Sequence, residues 1–105
     1  MSKLQPNILE IGKLPPHDYE AEKAVLGALL IGTSSDVINQ VARIITYDSF
    51  YRPEHGIVFK AIMRLHERFS PIDLLTVMHE ITNTGKDKDV DAVFLSELTD
   101  RVATS

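Results

Sequence analysis

The stretch PEHGIVFKAIMRLHERF, residues 53–69, has the clearest helical pattern in this sequence. Its apolar residues recur at spacings of one, three and four, which places them on one stripe of a helix. Pro53 suits the first turn of that helix, because its missing N–H would have no intrahelical partner there. We therefore expect a helix from Pro53 to about Phe69. Its apolar stripe consists of Ile57, Val58, Ala61, Ile62, Leu65 and Phe69.

The stretch DYEAEKAVLGALLI, which begins at Asp18, predicts a second helix that is buried on most sides. Acidic residues open it, where they complement the positive end of the helix dipole, and apolar residues fill the remainder. Gly27 lies in its middle at a cost of about 1 kcal/mol relative to Ala, so we expect another backbone to approach closely there. Residues 1–14 have no regular period. We expect them to form a flexible arm that ends at Pro15 and Pro16.

Three shorter helices complete the predicted domain. Residues 34–36 can cap a helix that carries Val37, Ile38, Val41, Ile44 and Ile45. Asp73 can cap the next helix, and Gly85 suits the left-handed position that ends it. The last helix spans about residues 91–102, with Val93, Phe94, Glu97, Leu98, Arg101 and Val102 on adjacent turns and Leu95 beside them.

The turn TYDSFY, residues 46–51, has no helical period, and we expect Phe50 and Tyr51 to pack on the core. No segment alternates apolar and polar residues over the length of a strand. The predicted fold class is therefore all-α, a compact orthogonal bundle of about five to six helices. One domain, residues 15–105, holds all of them.

Composition and charge exclude several classes of function. The 105 residues contain no Cys, which excludes disulfides, thiol nucleophiles and zinc thiolate sites. The net charge is −4, with eight basic and eight acidic residues up to residue 70 but three and seven after it. A basic stripe, the usual feature of a nucleic-acid-binding surface, is missing. Uninterrupted apolar runs, such as residues 28–31, are too short to span a bilayer, and we expect a cytoplasmic protein.

The remaining candidate sites fail on spacing. His66-Glu67 and His79-Glu80 each begin like the zinc motif H-E-x-x-H, but neither has the second His. Gly85-Lys86 resembles the end of a phosphate-binding loop, yet Asp87 stands where Ser or Thr is needed. We therefore expect no catalytic residue, no metal and no cofactor in this chain. For His55, a packed and hydrogen-bonded role is expected rather than a catalytic one.

Three ordered motifs resemble the N-terminal domain of the bacterial replicative DNA helicase, the DnaB family. They are PPHDYEAEKAVLGALL from residue 15, FYRPEHGIVFKAIMRL from residue 50 and PIDLLTV from residue 71. The resemblance covers about residues 13–100, although Val90-Asp91-Ala92 stands where the family commonly has a Gly pair. The motif positions that it marks, mostly structural ones, are Pro15, Pro16, Glu20, Glu22, Gly27, Phe50, Tyr51, His55 and Asp73.

The resemblance implies a non-catalytic collar domain. In the family, six such domains pair above a motor ring and recruit primase, and a helical hairpin that follows the domain makes much of the pairing. The motor, which uses ATP and magnesium to unwind DNA 5′ to 3′, would lie in a separate domain that is missing here. The sequence leaves the residues that contact primase or neighbouring subunits unknown.

Two alternatives stay open beside the collar domain. An autonomous helical DNA-binding module is compatible with the helix spacing, although the charge of the chain disfavours it. An enzyme is the third possibility, and the absence of a catalytic motif disfavours it.

Overall fold

The computed structural model describes residues 18–32 and 34–104. Within these ranges the chain forms five α-helices, one short 3-10 turn and no strand, which confirms the all-α class. The helices are α1 (Tyr19–Leu30), α2 (Ser35–Ile44), α3 (Pro53–Glu67), α4 (Leu74–Asn83) and α5 (Ala92–Thr104), and the 3-10 turn spans Tyr47–Ser49. The predicted arm, residues 1–14, lies outside the described residues together with Pro15 and Pro16. None of the described helices is long and apolar enough to cross a membrane.

Helix starts are set by side chains close in sequence. Asp18 caps α1, where its Oδ1 accepts the Ala21 N–H at 3.0 Å. Asp73 caps α4 through a reciprocal pair of bonds, in which it accepts the Thr76 N–H at 2.9 Å and Thr76 Oγ1 accepts the Asp73 N–H at 3.0 Å. Such bonds satisfy N–H groups that have no partner within the helix. Both helices therefore begin where the sequence predicts.

Helix α3 lies at the centre of the bundle, in contact with α1, α2, α4 and the 3-10 turn, while α5 packs mainly on α1. The radius of gyration is 12.7 Å, close to the value of about 13 Å expected for a domain of this length. The core side chains from α3 are Val58, Phe59, Ala61, Ile62 and Leu65. They pack with core residues from the other helices, among them Leu26, Leu29, Ile38, Val41, Val77, Ile81, Leu95 and Leu98.

The predicted end of α3 is wrong. The helix stops at Glu67, and Phe69, which the periodicity assigned to the buried stripe, is 94% exposed. The Ser70 N–H returns to the Leu65 carbonyl oxygen at 2.9 Å, and Phe69 adopts a positive φ of 58°. This turn reverses the chain direction before the next helical position is reached, so the last member of the stripe points into solvent.

Further side chains are exposed where the pattern predicted burial, among them Ile44 of α2, which is 39% exposed. Tyr51 is half exposed, whereas its neighbour Phe50 packs on the core as expected. In α5, Leu95 and Leu98 are buried, but Val93 is 64% exposed. The contacts of α5 with α1 bury a face centred on Leu95 and Leu98, displaced from the stripe that began at Val93.

A close backbone approach occurs at Gly56, in the first turn of α3. A Cβ atom added at Gly56 would lie 2.9 Å from the carbonyl oxygen of Tyr47, in the 3-10 turn. Gly27, where the sequence predicts such an approach, is buried within α1. The absence of a side chain at Gly56 thus lets the 3-10 turn pack directly on the start of α3.

Replacing Gly56 by Ala is expected to destabilise the domain by about 1 to 2 kcal/mol. The overlap with the Tyr47 backbone outweighs the gain in helix propensity, because a backbone carbonyl cannot rotate away as a side chain can. Chemical denaturation measures the difference, with Ser96→Ala on the exposed face of α5 as a control that should change stability little. An unchanged or higher free energy of unfolding for Gly56→Ala would show that the turn is free to shift.

Candidate functional site

A buried carboxylate, Glu22 on α1, joins three segments of the chain. Its side chain is 2% exposed. Oε2 accepts the Tyr51 N–H at 2.7 Å, and Oε1 accepts the Arg52 N–H at 3.4 Å. Oε1 also lies 2.7 Å from Nδ1 of His55, in the first turn of α3. Glu22 therefore holds the segment that enters α3 against the side of α1.

The imidazole of His55 is fully buried beside this carboxylate. Because a carboxylate can only accept, Nδ1 carries the hydrogen that is donated to Glu22. The other ring nitrogen, Nε2, is buried and has no hydrogen-bond partner among the described residues. A neutral ring leaves only a lone pair at that position, whereas a protonated ring would bury an unpaired N–H donor.

Burial lowers the pKa of His55 from its ordinary value of 6.5, and the hydrogen bond and charge of Glu22 oppose that shift. The positive charges of Arg52 and Lys23 add to the lowering. The lowered pKa agrees with the geometry, because the neutral ring is the form that the buried site accommodates. His55 is therefore a neutral structural partner of Glu22 at pH 7.

An aromatic and arginine surface covers this buried pair. We define it by four side chains, Tyr19, Tyr51, Arg52 and Phe94. The rings of Tyr19 and Tyr51 lie 6.1 Å apart, and the Arg52 guanidinium stands 5.9 Å from the Tyr19 ring and 5.2 Å from the Phe94 ring. Both Tyr rings are at least partly open to solvent, with Tyr51 51% exposed.

His55 connects this surface to the core. Its ring packs 5.8 Å from the Phe94 ring and 6.4 Å from the Tyr19 ring. Arg52 Nε also donates to Glu54 Oε1 at 3.1 Å, which fixes the guanidinium from the side. The aromatic and arginine surface is thus positioned in advance by buried contacts from α1, α3 and α5. Large side chains held in this way suit binding of a partner molecule, because little conformational freedom is left to lose.

A second charged cluster lies at the other end of α3. The Arg64 Nε donates to Glu80 Oε2 and the Arg68 Nη2 donates to Glu80 Oε1, both at 2.7 Å. The hydrogen bond from Arg68, and then that from Arg64, holds the pKa of Glu80 below its usual range. The cluster ties α4 to the end of α3. Among the described residues no group of three or more His, Asp or Glu side chains is placed to hold a metal ion.

Comparison with known proteins places the chain in a family. Residues 14–105 match the family described as "DnaB-like helicase N terminal domain". The chain belongs to this family. The replicative DNA helicase DnaB of Rhodothermus marinus is 42% identical over 97 residues, which cover 91% of this chain and 10% of that protein. The replicative DNA helicase DnaC of Bacillus subtilis is 34% identical over 94 residues, covering 89% of this chain and 20% of that protein.

A solved structure shares the fold as well. The N-terminal domain of DnaB helicase from Mycobacterium tuberculosis superposes with a TM-score of 0.74 and 36% sequence identity, over 83% of this chain and 60% of that one. The chain thus spans a tenth to a fifth of the length of the curated DnaB-family helicases named above, and it matches an N-terminal domain of known structure.

The structure brings together part of the predicted set of DnaB-family motif positions. Glu22, Phe50, Tyr51 and His55 meet where α1 packs on the start of α3. Glu20 lies on the exposed side of α1, 3.6 Å from the Lys23 ammonium. The other described members stand apart from this cluster, with Gly27 buried in α1 and Asp73 capping α4. Pro15 and Pro16 fall outside the described residues.

The sequence reasoning missed three members of the aromatic and arginine surface. Tyr19 and Arg52 stand within the DnaB-family motifs but were not singled out, and Phe94 was assigned to an apolar stripe. A Tyr or Arg next to a motif residue gives no sign of exposure by itself. The available signal was composition, because aromatic residues and Arg are enriched at protein interfaces.

The Glu22→Gln variant is expected to lose about 2 to 4 kcal/mol of stability. The amide has one acceptor oxygen instead of two. Its NH₂ group would therefore lie against a donor, either the Tyr51 N–H or the His55 Nδ1–H, and that buried donor would lose its acceptor. Denaturant unfolding measures the change, and Glu20→Gln on the exposed side of the same helix is the matched control, expected to change stability by less than about 0.5 kcal/mol. Equal losses for both variants would contradict the role assigned to Glu22.

Stability should fall as the pH drops below about 6.5, the ordinary pKa of His. In that range the unfolded chain takes up a proton at His55 while the folded chain does not, because its folded pKa is lowered, so protons favour unfolding. Below about pH 4.5 a separate loss of stability follows from the lowered pKa of Glu80, because protonation of this carboxylate removes its ion pairs with Arg68 and Arg64.

The measurement is the free energy of unfolding at steps from pH 7.5 to 5. His55→Gln keeps an N–H donor for Glu22 but cannot titrate, so its stability should be flat over this range. His66→Gln, at a half-buried ring whose Nε2 lies 2.7 Å from Asn39 Oδ1, keeps His55 and should still lose stability as the pH falls. A wild-type stability that is independent of pH between 7 and 5 would show that folding does not shift the pKa of His55.

Proposed function

We propose that this chain is the non-catalytic N-terminal collar domain of a hexameric replicative DNA helicase, where it supports subunit assembly and recruits primase. Membership of the DnaB-like N-terminal domain family is the observation that carries the proposal. The parent protein would be a cytoplasmic bacterial helicase that unwinds DNA 5′ to 3′. ATP and magnesium would act in a separate motor domain of that parent.

The aromatic and arginine surface is the place where we expect primase to bind. Tyr and Arg side chains dominate the energetics of many protein interfaces, because they combine a large apolar area with polar groups. Here Glu22 holds the backbone of Tyr51 and Arg52, and the Tyr19 ring packs beside the rings of Tyr51 and His55.

Charge separates this proposal from the DNA-binding alternative. Aromatic rings beside an Arg can also stack with the bases of single-stranded DNA. Such sites need a positively charged groove for the phosphates, yet the neighbours in sequence here are Asp18, Glu20, Glu54 and Asp91. Arg52 itself is engaged by Glu54. Carboxylates thus outnumber the basic residues close in sequence to this surface, with Glu20 paired to Lys23 and Glu54 to Arg52. This balance favours a protein partner over a nucleic acid.

Replacing Tyr51 by Ala is expected to weaken binding of the cognate bacterial primase by about tenfold or more, as for an interface hot spot. Calorimetric titration of the chain with primase measures the affinity, and the melting temperature of each variant checks that it is folded. Phe69→Gly, at the far end of α3, is the control and should bind as the wild type does.

The same preparations test the DNA alternative in a mobility-shift assay with single- and double-stranded DNA at physiological salt. We expect no shift at low micromolar protein. Retention of DNA together with no measurable binding of primase would reject the collar role and favour the DNA-binding module.

A further inference from the structure

The Nε2 atom of His55 is, within the described part of the chain, the buried side-chain polar atom that lacks a hydrogen-bond partner. The imidazole is fully buried, and its Nδ1 is engaged by Glu22 Oε1 at 2.7 Å. A neutral ring loses little in this position, because Nε2 then carries a lone pair rather than a hydrogen. A protonated ring would bury a donor without an acceptor, which is unfavourable. The observed arrangement therefore belongs to the neutral form of His55.

Three aromatic rings pack around this imidazole. The Phe50 ring lies 6.4 Å away and belongs to the core, where it also packs 5.3 Å from the Phe59 ring. The uncharged rings of Tyr19, at 6.4 Å, and Phe94, at 5.8 Å, belong to the aromatic and arginine surface instead. Water can reach a protonated Nε2 only if one of the three rings moves. The two rings at the surface are the freer to do so, and Tyr19 is already 40% exposed.

The position of the Arg52 guanidinium depends on the same two surface rings. It stands 5.9 Å from the Tyr19 ring and 5.2 Å from the Phe94 ring, which is within the range of cation–π contacts. Displacement of either ring removes one of these contacts. A positive charge on His55 would also repel the guanidinium. Protonation of His55 therefore disturbs the surface both through the water that it requires and through its charge.

Charged groups from α1 and from the start of α3 act on His55 together with its burial. Burial lowers the pKa of His55 from 6.5, Glu22 on α1 opposes that shift, and Lys23 on α1 adds to it. At the start of α3, the charge of Arg52 also adds to the lowering, while that of Glu54 opposes it. The contact from α5 is an uncharged ring. The imidazole therefore becomes charged only in acid, below pH 6.5.

We propose that His55 is a pH-sensitive switch for the aromatic and arginine surface. The neutral ring supports the surface in its binding arrangement, and protonation displaces Tyr19 or Phe94 and with it Arg52. The inference rests on the primase-binding role proposed above and adds a regulation to it. Coupling between two sites is reciprocal, so acid weakens the binding of a partner, and a bound partner makes His55 harder to protonate.

Titration of His55 in the free chain tests the switch without a partner. NMR of the ring protons follows it from pH 7.5 to 5, and the melting temperature of each variant checks that it is folded. We expect a higher pKa of His55 in Phe94→Ala, because removal of that ring admits water to Nε2. Phe69→Ala, which removes an exposed ring at the far end of α3, is the control and should leave the pKa unchanged. An unchanged pKa in both Phe94→Ala and Tyr19→Ala would overturn the proposal.

Affinity for the cognate bacterial primase tests the regulation. Calorimetric titration at pH 7.5 and 5.5 compares the wild type with His55→Gln, which cannot titrate. Relative to that variant, the wild type should lose affinity by about threefold or more in acid. Titration of primase and of the other His residues, at positions 17, 66 and 79, is common to both chains and cancels in the ratio. His66→Gln is the matched control, which keeps His55 and should still lose affinity in acid.

Failure of the switch and failure of the primase role give different results. A ratio of affinities that is the same at both pH values would overturn the switch and leave primase binding intact. No binding of primase at pH 7.5 would reject the primase role and the regulation together. In that case the titration of His55 in Phe94→Ala still shows whether the surface rings control its protonation.

Discussion

The buried carboxylate of Glu22 is the constraint on which the arrangement of α1, α3 and the turn between them depends. A charged group removed from water is strongly unfavourable unless hydrogen bonds replace its hydration. Here the Tyr51 and Arg52 N–H groups and the His55 ring supply those bonds. Because two donors belong to the backbone, the segment before α3 can take only one position against α1. That position in turn brings the side chains of Tyr51 and Arg52 to the surface.

The two ends of α3 consequently differ in what they offer to other molecules. At its start, buried polar contacts support an aromatic and arginine surface whose members come from α1, α5 and the segment that enters α3. At its end, the Glu80 ion pairs fix α4, and the chain reverses at Phe69. A single helix of 15 residues thus separates the candidate partner surface from the charged cluster at Glu80.

The errors of the sequence prediction have a common physical cause. Periodicity assigns a residue to a face, but it does not say where a helix stops or which neighbour covers that face. Phe69 continues the spacing of the α3 stripe, yet the hydrogen bond from Ser70 to Leu65 ends the helix before it. Val93 begins the predicted stripe of α5, yet contact with α1 buries Leu98 of that stripe together with Leu95 and leaves Val93 exposed. The close approach at Gly56 depends on the 3-10 turn, which no local pattern could place against α3.

Local signals in the sequence were enough to predict the all-α class, the order of the helices and the resemblance to the DnaB family, because caps, periodicity and ordered motifs act over short stretches of chain. Asp18 and Asp73, for example, cap helices through residues three positions away. The tertiary structure alone decided that Glu22 and His55, 33 residues apart, form one buried pair, and that Tyr19 and Phe94 share a surface with Arg52. Contacts between distant residues depend on how helices pack, and packing is set by the shape and burial of the whole domain rather than by any local pattern.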